Sequence, residues 1–399
     1  MISFTKLLCG TATVREALTY ASRPGETPAG MLHYLEQRGP LVVWNVTRRC
    51  NLRCAHCYYA SDDTSSGDEL TLTEGMRLVE GLRAARVPVL LFSGGEPLLR
   101  DEIFAWGRAG RTAGLHVVLS TNGTLITDGV AAKLADAGFA YVGVSLDGLE
   151  ETHDVFRGES GAFRKALAGL RAAKAAGLRT GVRFTVCADN LDDLPGVLEL
   201  VEAEGIPRFC LYHLVYAGRG ADIRERDITP RQRAGVVDLL IEKALEWCRG
   251  AVEAEILTVD SHVDGIRIAA HVRKHLPERV EEVEKLIRMH GGCSAGTKFA
   301  SIDAEGNVHP CQFWEHVSLG SVRERPFAEI WNDLSNPLLR ALKSKAEHLC
   351  GSRCGQCVHK SVCGGCRVRA EALTGDAWED DPSCYLSDEE ISSRREPTR

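Results

Sequence analysis

The sequence lacks the features of a membrane, exported or nucleic-acid-binding protein. Its longest apolar stretches, such as Val87 to Phe92, are far shorter than the roughly 20 residues that cross a bilayer. The N-terminus has no long apolar segment followed by a small-residue cleavage site, which predicts no signal peptide. Lys and Arg (48) do not outnumber Asp and Glu (55), so there is no global basic field for nucleic acid. We expect a cytoplasmic protein that binds neither nucleic acid nor membrane.

Length and cysteine content point to a metal-binding globular protein. A chain of 399 residues predicts two or three domains and is long enough to bury a core without disulfides. There are 15 cysteines, three of them between Cys50 and Cys57 and five between Cys350 and Cys366. Clustered thiols in a cytosolic chain favour metal ligation over disulfides. Cys9, Cys187, Cys210 and Cys248 stand alone and are predicted to be small buried hydrophobes.

Short apolar runs alternate with amphipathic helical patterns over residues 41–215. This alternation predicts an α/β domain with a parallel sheet, because strands that are apolar on both faces are buried between layers. The candidate strands are Leu41 to Val46, Val87 to Phe92, His116 to Leu119, Tyr141 to Val144, Gly181 to Val186 and Phe209 to Leu214.

Polar and glycine-rich motifs follow several of these strands. They are Cys50-Asn-Leu-Arg-Cys54-Ala-His-Cys57, Ser93-Gly-Gly-Glu-Pro97, Ser120-Thr-Asn-Gly123, Ser145-Leu-Asp-Gly148 and Tyr212-His213. In parallel α/β folds the active site gathers at the carboxyl ends of the strands. The motifs therefore predict one composite site.

The first cysteine group supplies three thiolates on one short loop. Iron–sulfur clusters are held by thiolates, and a cubane needs four ligands, so three leave one iron open for a substrate or cofactor. A zinc site, or thiols that pack in the core, is the alternative. A closed zinc site normally has four ligands at wider paired spacings, which disfavours that alternative.

These motifs resemble the radical S-adenosyl-L-methionine (SAM) enzymes. The resemblance implies a partial (βα)6 barrel over residues 41–215 and a 4Fe-4S cluster on Cys50, Cys54 and Cys57. It also implies SAM contacts at the ammonium group, ribose, carboxylate and adenine. The implied contacts are Gly94, Gly95, Glu96 and Pro97 for the ammonium group, Ser145 and Arg157 for the ribose and carboxylate, Asn122 and Asp147 as further candidates, and His56 near the adenine.

The resemblance implies a mechanism as well. The cluster would chelate SAM and donate one electron to its sulfonium, and a 5′-deoxyadenosyl radical would then abstract hydrogen from an unactivated carbon. A ferredoxin- or flavodoxin-type protein is the implied electron donor.

Residues 293–385 resemble the SPASM domain, which follows many radical SAM barrels and binds auxiliary 4Fe-4S clusters. Here the resemblance implies one cluster on Cys354, Cys357, Cys363 and Cys384. Cys293, Cys311 and Cys366 would be left for a second, with Cys350 or a non-cysteine group as fourth ligand. The Cys363-x2-Cys366 spacing is one residue shorter than usual in the family, which puts the second cluster in question. A zinc ribbon on the two Cys-x2-Cys pairs is the alternative.

The remaining segments carry simpler predictions. Residues 1–40 are predicted to be a helical extension, with helix candidates at Val14 to Tyr20 and Met31 to Gln37. Residues 216–292 are predicted to be a helical bridge with helices near Pro230 to Trp247 and Glu278 to Met289. Residues 386–399, which are charged and poor in apolar groups, are predicted to be a disordered tail.

Three stretches resemble the tetrapyrrole-modifying branch of the family: Met1 to Gly10, Val42 to Cys50 and His213 to Gly220. Only about 40 residues precede the first strand, which leaves no room for the recognition domain of peptide-modifying members. The resemblance implies an iron tetrapyrrole substrate and removal of acetate side chains from 12,18-didecarboxysiroheme to give Fe-coproporphyrin III. Propionate removal in haem d1 biosynthesis, peptide modification, and a non-catalytic electron carrier or redox sensor are the alternatives.

A tetrapyrrole with several carboxylates requires arginines and an aromatic slot. The candidates are Arg48, Arg49, Arg219 and Arg224 for the carboxylates, Tyr212 and Tyr216 for the macrocycle, and His213 for the substrate iron. For each arginine a solvated surface position is the alternative, and for His213 a structural role.

Overall fold

The computed structural model describes residues 1–10, 39–64, 67–250 and 252–392. Within these ranges one sheet of eleven strands has the order β1-β8-β7-β6-β5-β4-β3-β2-β9-β10-β11. The strands are β1 (Ile2–Ser3), β2 (Leu41–Asn45), β3 (Val89–Ser93), β4 (His116–Thr121), β5 (Tyr141–Ser145), β6 (Thr180–Val186), β7 (Arg208–His213), β8 (Glu255–Val259), β9 (Phe299–Ile302), β10 (Asn307–His309) and β11 (Gly320–Ser321).

Strands β2 to β7 are the six predicted strands, and all of them pair in parallel in chain order. This confirms the α/β fold class with a radical SAM-type partial barrel. The barrel continues, however, beyond the predicted residues 41–215. Strand β8 pairs in parallel with β7, and β9 pairs in parallel with β2. The prediction of an all-helical bridge over residues 216–292 is therefore wrong at β8, and the cysteine-rich domain begins by extending the barrel sheet.

Helices connect the parallel strands. Those of the barrel are Leu72–Ala84, Ile103–Thr112, Asp128–Asp136, Glu150–Arg157, Ala162–Ala175 and Leu194–Ala203. Those of the bridge are Pro230–Arg249, Val263–His275 and Val280–His290. The C-terminal part has Phe327–Trp331, Pro337–Lys343, Lys345–His348, Arg367–Thr374 and Asp388–Ser392, and the N-terminal segment has Phe4–Cys9. The two helices predicted in the bridge are confirmed.

The sheet buries both of its faces. Alternate strand residues such as Trp44 and Phe92 join the large core beneath the helices. Val43, Leu91, Val118 and Tyr141 form a second, smaller cluster on the concave face, inside the barrel. Beyond that cluster, towards the carboxyl ends of the strands, the concave face carries polar side chains.

The N-terminal segment is part of the sheet. Ile2 and Ser3 pair antiparallel with Thr258 and Leu257 of β8, so the extension starts with a strand rather than a helix. The helix candidates Val14 to Tyr20 and Met31 to Gln37 lie outside the described residues. Cys9 is joined by a disulfide to Cys248, which corrects the prediction that both are solitary thiols. Cys187 and Cys210 are buried free thiols, as predicted.

The C-terminal segment is ordered as far as the structure describes it. Residues 388–392 form a helix, and Leu386 and Ile391 are buried against Val263 and Ile266. The prediction of a disordered tail is therefore wrong for residues 386–392, because two apolar side chains suffice to dock the segment. Residues 393–399 lie outside the described part. Among the described helices, none is long and apolar enough to cross a membrane.

Candidate active site

Cys50, Cys54 and Cys57 lie on the loop after β2, at the carboxyl edge of the sheet. Cys50 and Cys54 are buried, and Cys57 packs against them. Two thiols accept N–H bonds from the protein. The Leu52 amide donates to Cys50 Sγ (3.4 Å), and Arg157 Nη1 donates to Cys54 Sγ (3.3 Å). Asn122 Nδ2 also lies 4.0 Å from Cys50 Sγ.

These donors fit a thiolate-ligated cluster. Burial raises the pKa of the Cys50 thiol to about 12, so without metal the thiol is protonated at neutral pH. N–H donors aimed at sulfur stabilise the thiolate form, which is the form that binds iron. Cys50, Cys54 and Cys57 would hold the cluster, with one iron left open to SAM.

The Gly94-Gly95 turn fits against the chain that leads into Cys50. Gly94 has φ +132°, and a Cβ at Gly95 would lie 2.0 Å from the Arg49 carbonyl oxygen. The Gly95 amide donates to Thr47 O (2.7 Å), and the Glu96 amide donates to Arg49 O (2.7 Å). The two glycines are thus required for close packing of two loops, in addition to any contact with SAM.

Glu96 is fully buried, and both its oxygens have protein partners. Oε1 accepts from Thr121 Oγ1 (2.7 Å) and the Leu98 amide (3.1 Å), and Oε2 accepts from the Asn122 amide (2.9 Å). Burial raises the pKa of Glu96 to about 7. Glu96 therefore connects the loop after β3 to the loop after β4, and its role towards the SAM ammonium group stays a prediction.

Asp147 and Arg157 form a buried ion pair beside the cluster loop. Asp147 Oδ1 accepts from the Thr185 amide (2.6 Å), and its own amide donates to His153 Nδ1 (3.0 Å). Burial alone would raise the pKa of Asp147, but the Arg157 charge, together with His56 and the Thr185 amide, holds the pKa below its usual range. Asp147 thereby positions Arg157, whose other amino group reaches Cys54.

The remaining predicted SAM contacts lie at the same edge. The His56 ring stacks on Phe156 at 4.6 Å between centroids, and burial lowers its pKa to about 4, so it is a neutral aromatic surface. Ser145 ends β5 and is half-buried. Asn122 Nδ2 donates to Asn51 Oδ1 (2.9 Å) beside Cys50. Pro97 begins the short turn after Glu96.

The four arginines predicted for substrate carboxylates all have other partners. Arg219 Nε donates to Cys54 O (2.9 Å) and its Nη1 to Ser61 O (2.8 Å), which fastens the cluster loop. Arg48 pairs with Glu305 (3.1 Å) and with Glu315. Arg49 lies 3.7 Å from Asp63, and Arg224 lies 3.4 Å from Glu225, both at exposed positions.

His213 has a structural role, not one at the substrate iron. Its Nε2 lies 2.9 Å from Asp264 Oδ2 and its Nδ1 lies 2.5 Å from Arg233 Nη1, in a fully buried group. Tyr216 donates its hydroxyl to Asp227 (2.9 Å). Tyr212, the other macrocycle candidate, lies inside the barrel with its ring 5.3 Å from the Arg183 guanidinium.

Arg183 and Tyr58 are site residues that sequence reasoning missed. Arg183 points into the barrel from β6, and the one sequence signal for it is a single cation within an otherwise apolar strand. Tyr58 follows Cys57 and donates its hydroxyl to Asn45 Oδ1 (2.9 Å) at the end of β2. Its ring meets Phe313 of the C-terminal domain edge-on at 5.1 Å.

A cleft of about 440 Å³ lies between the barrel and the C-terminal domain. We call it the interdomain cleft; its walls include Tyr58, Tyr216, Phe313, Glu315, His316 and Glu371. Its floor adjoins the cluster loop, since a Cβ on Gly218 would lie 2.5 Å from Cys57 O. The cleft thus offers an aromatic slot for a ligand whose edge reaches the cluster site.

The C-terminal domain holds seven cysteines of the predicted pattern in two groups. Cys354, Cys357, Cys363 and Cys384 line one cavity, which we call the auxiliary cavity. The Asp381 amide donates to Cys354 Sγ (3.5 Å), and the His359 amide donates to Cys357 Sγ (3.4 Å). Four thiols around one cavity with N–H donors fit a fully cysteine-ligated cluster.

Cys293, Cys311 and Cys366 form the second group. Burial raises the pKa of Cys311 well above its usual value, and the nearby Cys293 and Cys366 thiols raise it further. Cys350 does not join them. It is exposed, and its thiol lies 3.8 Å from Glu379 Oε1, in a surface group with Asp376. The described residues therefore bring no fourth cysteine to this trio.

Comparison with known proteins agrees with this architecture. The radical SAM superfamily matches residues 44–201, and the SPASM iron-sulfur cluster-binding domain matches residues 293–358. The chain is 44% identical to Fe-coproporphyrin III synthase of Methanosarcina barkeri, over 98% of this chain and 99% of that protein. It is 42% identical to pre-heme d1 synthase of Dinoroseobacter shibae, over 89% of this chain and 91% of that protein.

Solved structures share the fold at low sequence identity. Streptococcus suis SuiB bound to its precursor peptide SuiA superposes with a TM-score of 0.69 at 15% identity, covering 90% of this chain and 81% of that one. The anSMEcpe structure with bound AdoMet and Cp18Cys peptide gives 0.66 at 20% identity, covering 86% and 93%. Together with the two full-length relatives, these matches establish that the chain belongs to the radical SAM superfamily, among its members that carry a SPASM iron–sulfur domain.

Proposed function

We propose that this enzyme removes acetate side chains from 12,18-didecarboxysiroheme to give Fe-coproporphyrin III. The observation that carries the proposal is the 44% identity to Fe-coproporphyrin III synthase over 98% of this chain and 99% of that protein. Such coverage includes the barrel, the bridge and the SPASM domain, all of which contribute walls or ligands to the site.

The interdomain cleft supports a flat, largely apolar substrate. Its volume of about 440 Å³ falls in the range of small-molecule sites, and Tyr58, Tyr216 and Phe313 supply aromatic surface. Since its floor adjoins Cys57, a macrocycle in the cleft would present one edge to the cluster site. A tetrapyrrole has this shape and chemistry.

The residues around the cluster have separate roles in this proposal. When bound, the cluster and SAM supply a 5′-deoxyadenosyl radical that abstracts hydrogen from carbon. Cys50, Cys54 and Cys57 hold the cluster, and His56 offers an aromatic face to the adenine. Arg157, positioned by Asp147, serves the SAM carboxylate, and Ser145 serves the ribose. The auxiliary cavity holds one 4Fe-4S cluster, and Cys293, Cys311 and Cys366 are the candidate ligands of a second, which would need a non-cysteine fourth ligand.

Two further properties belong to the same proposal. The enzyme works in the cytoplasm, and it takes its electron from a ferredoxin- or flavodoxin-type protein. The proposed reductive cleavage of SAM requires such a one-electron donor.

The second candidate is propionate removal, the haem d1 reaction. It is favoured by the 42% identity to pre-heme d1 synthase, which is close to the value for the first relative. Its coverage of this chain is lower, at 89%. The two reactions differ in the side chain attacked, so the mass of the product distinguishes them.

The test is an anaerobic incubation of the reconstituted enzyme with SAM, a strong reductant and 12,18-didecarboxysiroheme. Mass spectrometry would follow 5′-deoxyadenosine and the tetrapyrrole together, with C54A as the matched inactive control. We expect loss of two acetate groups with deoxyadenosine formation. Loss of propionates would establish the second candidate instead. An unchanged tetrapyrrole beside active SAM cleavage would contradict both and direct the search to peptides.

A further inference from the structure

Arg183 is a cation inside the barrel at the level of the SAM site. It pairs in register with Ser145 of the neighbouring strand, so both side chains project from the same, concave face of the sheet. Ser145 is the expected ribose contact, so the Arg183 side chain projects beside the predicted SAM site.

The barrel is built to accommodate this side chain. A Cβ on Gly143 would lie 3.0 Å from Arg183 Cδ, so the glycine leaves the space that the arginine stem occupies. The guanidinium lies over the Tyr212 ring, with 5.3 Å from Cζ to the centroid, and Nη1 donates to Ser120 Oγ. Its neighbours are thus a hydroxyl and an aromatic face.

No carboxylate of the described residues forms an ion pair with Arg183, whereas several buried arginines elsewhere have one; buried Arg367, also without an ion pair, instead donates to the carbonyls of Ala377 and Glu379. Arg208 pairs with Glu255 (3.0 Å), Arg233 with Asp227 (2.8 Å) and Arg369 with Asp381 (3.0 Å). The Arg183 side chain is half-buried in the barrel. A partly desolvated cation without an anion is unfavourable, and a bound carboxylate would offset that cost.

Asp260, at the end of β8, is the acidic group that faces this region. Burial raises its pKa to about 6, and the charges of Arg369 and Arg183 act against that rise. Its carboxylate makes no ion pair with Arg183, and its Oδ2 is buried without a hydrogen-bond partner. Asp260 therefore does not occupy the N–H groups of Arg183, of which only Nη1 donates to a described residue, Ser120.

We propose that Arg183 is the substrate-carboxylate anchor inside the barrel, binding an acidic side chain of the tetrapyrrole beside the SAM ribose. An arginine fork matches a carboxylate with two parallel N–H bonds, which fixes the orientation of the side chain as well as its position. The inference rests on the proposed function. In this proposal, Arg183 aligns the acidic side chain of the tetrapyrrole with the site where the radical forms.

The test compares tetrapyrrole binding to wild type, R183M, R183K and R179M. Arg179 is exposed and lies four residues earlier in the chain, next to the first residue of β6, so R179M is the matched control. Each reconstituted protein is titrated with 12,18-didecarboxysiroheme and with its methyl ester, with the Soret absorption as the signal. Iron content, SAM cleavage without substrate and the melting temperature are measured on the same samples.

We expect R183M to weaken binding of the free acid by about 30-fold or more, R183K by less, and R179M not at all. Esterification should weaken binding to wild type about 30-fold more than it weakens binding to R183M. R183M should keep its clusters and its substrate-free SAM cleavage, and should melt no lower than wild type because an unpaired cation is removed.

Where wild type binds the tetrapyrrole, two results would overturn the anchor. An equal ester penalty in wild type and R183M would show that Arg183 meets no substrate carboxylate. Loss of clusters or SAM cleavage in both Arg183 variants would assign the residue to the cofactor. If wild type binds the tetrapyrrole without converting it, the proposed function fails while the ester comparison still decides on Arg183. If wild type binds neither the free acid nor the methyl ester, the proposed function and the Arg183 anchor both fail.

Discussion

The cluster loop of the barrel and the auxiliary cavity of the C-terminal domain both present thiols to iron, but the two groups of cysteines lie on different kinds of structure. The cluster loop is fixed by protein bonds, namely Arg219 to Cys54 O, Gly95 to Thr47 O and Arg157 to Cys54 Sγ, on top of a parallel sheet. The auxiliary cysteines lie on turns, with the nearest helix at Arg367–Thr374. We therefore expect the first site to be preformed and the second to depend on its metal for stability.

The largest expected effect is on activity in the barrel. C54A removes one of three cluster ligands, so SAM cleavage should fall to background. The barrel should remain folded, because its core lies below the loop. Deoxyadenosine formation measures the first expectation, and circular dichroism with thermal melting measures the second. A barrel that melts with the loss of this thiol would contradict a preformed loop.

The same substitution in the other region should act on structure. C363A removes a ligand from the auxiliary cavity, whose four cysteines lie on turns outside the parallel sheet, so we expect residues 349–386 to lose order. Limited proteolysis would detect this as new cleavage within that range, while the barrel stays resistant. Equal resistance of C363A and C54A would remove the contrast between the two regions.

R157M tests the protein bonds of the barrel site directly. It leaves Asp147 buried without its cation and removes the donor to Cys54, so we expect a loss of about 3–5 kcal/mol in the free energy of unfolding. R164M removes an exposed pair with Glu150 and should cost at most about 1 kcal/mol. Denaturant titration of the two variants gives the comparison. Similar costs would mean that the buried pair does not support the loop.

The smallest effect is a pH dependence of the barrel site. Burial lowers the pKa of His153 to about 4, below its unfolded value near 6.5, so the folded state binds fewer protons between these values. The contribution of His153 to stability is therefore complete above about pH 6.5 and is lost as the pH falls towards 4.

H153N keeps an acceptor for the Asp147 amide but cannot be protonated. It should be less stable than wild type by about 1 kcal/mol at pH 7.5. The difference should shrink as the pH falls below about 6.5 and reverse in sign before pH 4, because only wild type loses stability by protonation of His153. Denaturant titrations at a series of pH values would show this. A difference that is constant with pH would mean that His153 is not protonated on unfolding.

The sequence predicted the barrel well because its strands are apolar on both faces and follow one another in order. It missed β8 because that strand is short and begins with a charge, Glu255. The charge is buried in an ion pair with Arg208 of the neighbouring strand β7. The tail was missed for a similar reason: Leu386 and Ile391 are too few to form a pattern, yet they have a hydrophobic surface to cover.

The candidate site was likewise predicted only in part. Motifs predicted the cluster cysteines and the SAM contacts, because the residues of each motif lie next to one another in the chain. Which arginine faces the substrate depends on packing between distant segments. Arg219 and Arg48 form hydrogen bonds or ion pairs with neighbouring residues, whereas Arg183 forms no ion pair with a described residue inside the barrel.

Hydrogen exchange on metal-free and reconstituted enzyme tests the central contrast most directly. The amides of β2 to β7 and of the loop from Cys50 to Cys57 should show nearly equal protection in the two forms. Residues 349–386 should be protected only in the reconstituted enzyme. Equal loss of protection in both regions without metal would contradict a preformed barrel site, and equal retention would contradict a metal-dependent auxiliary domain.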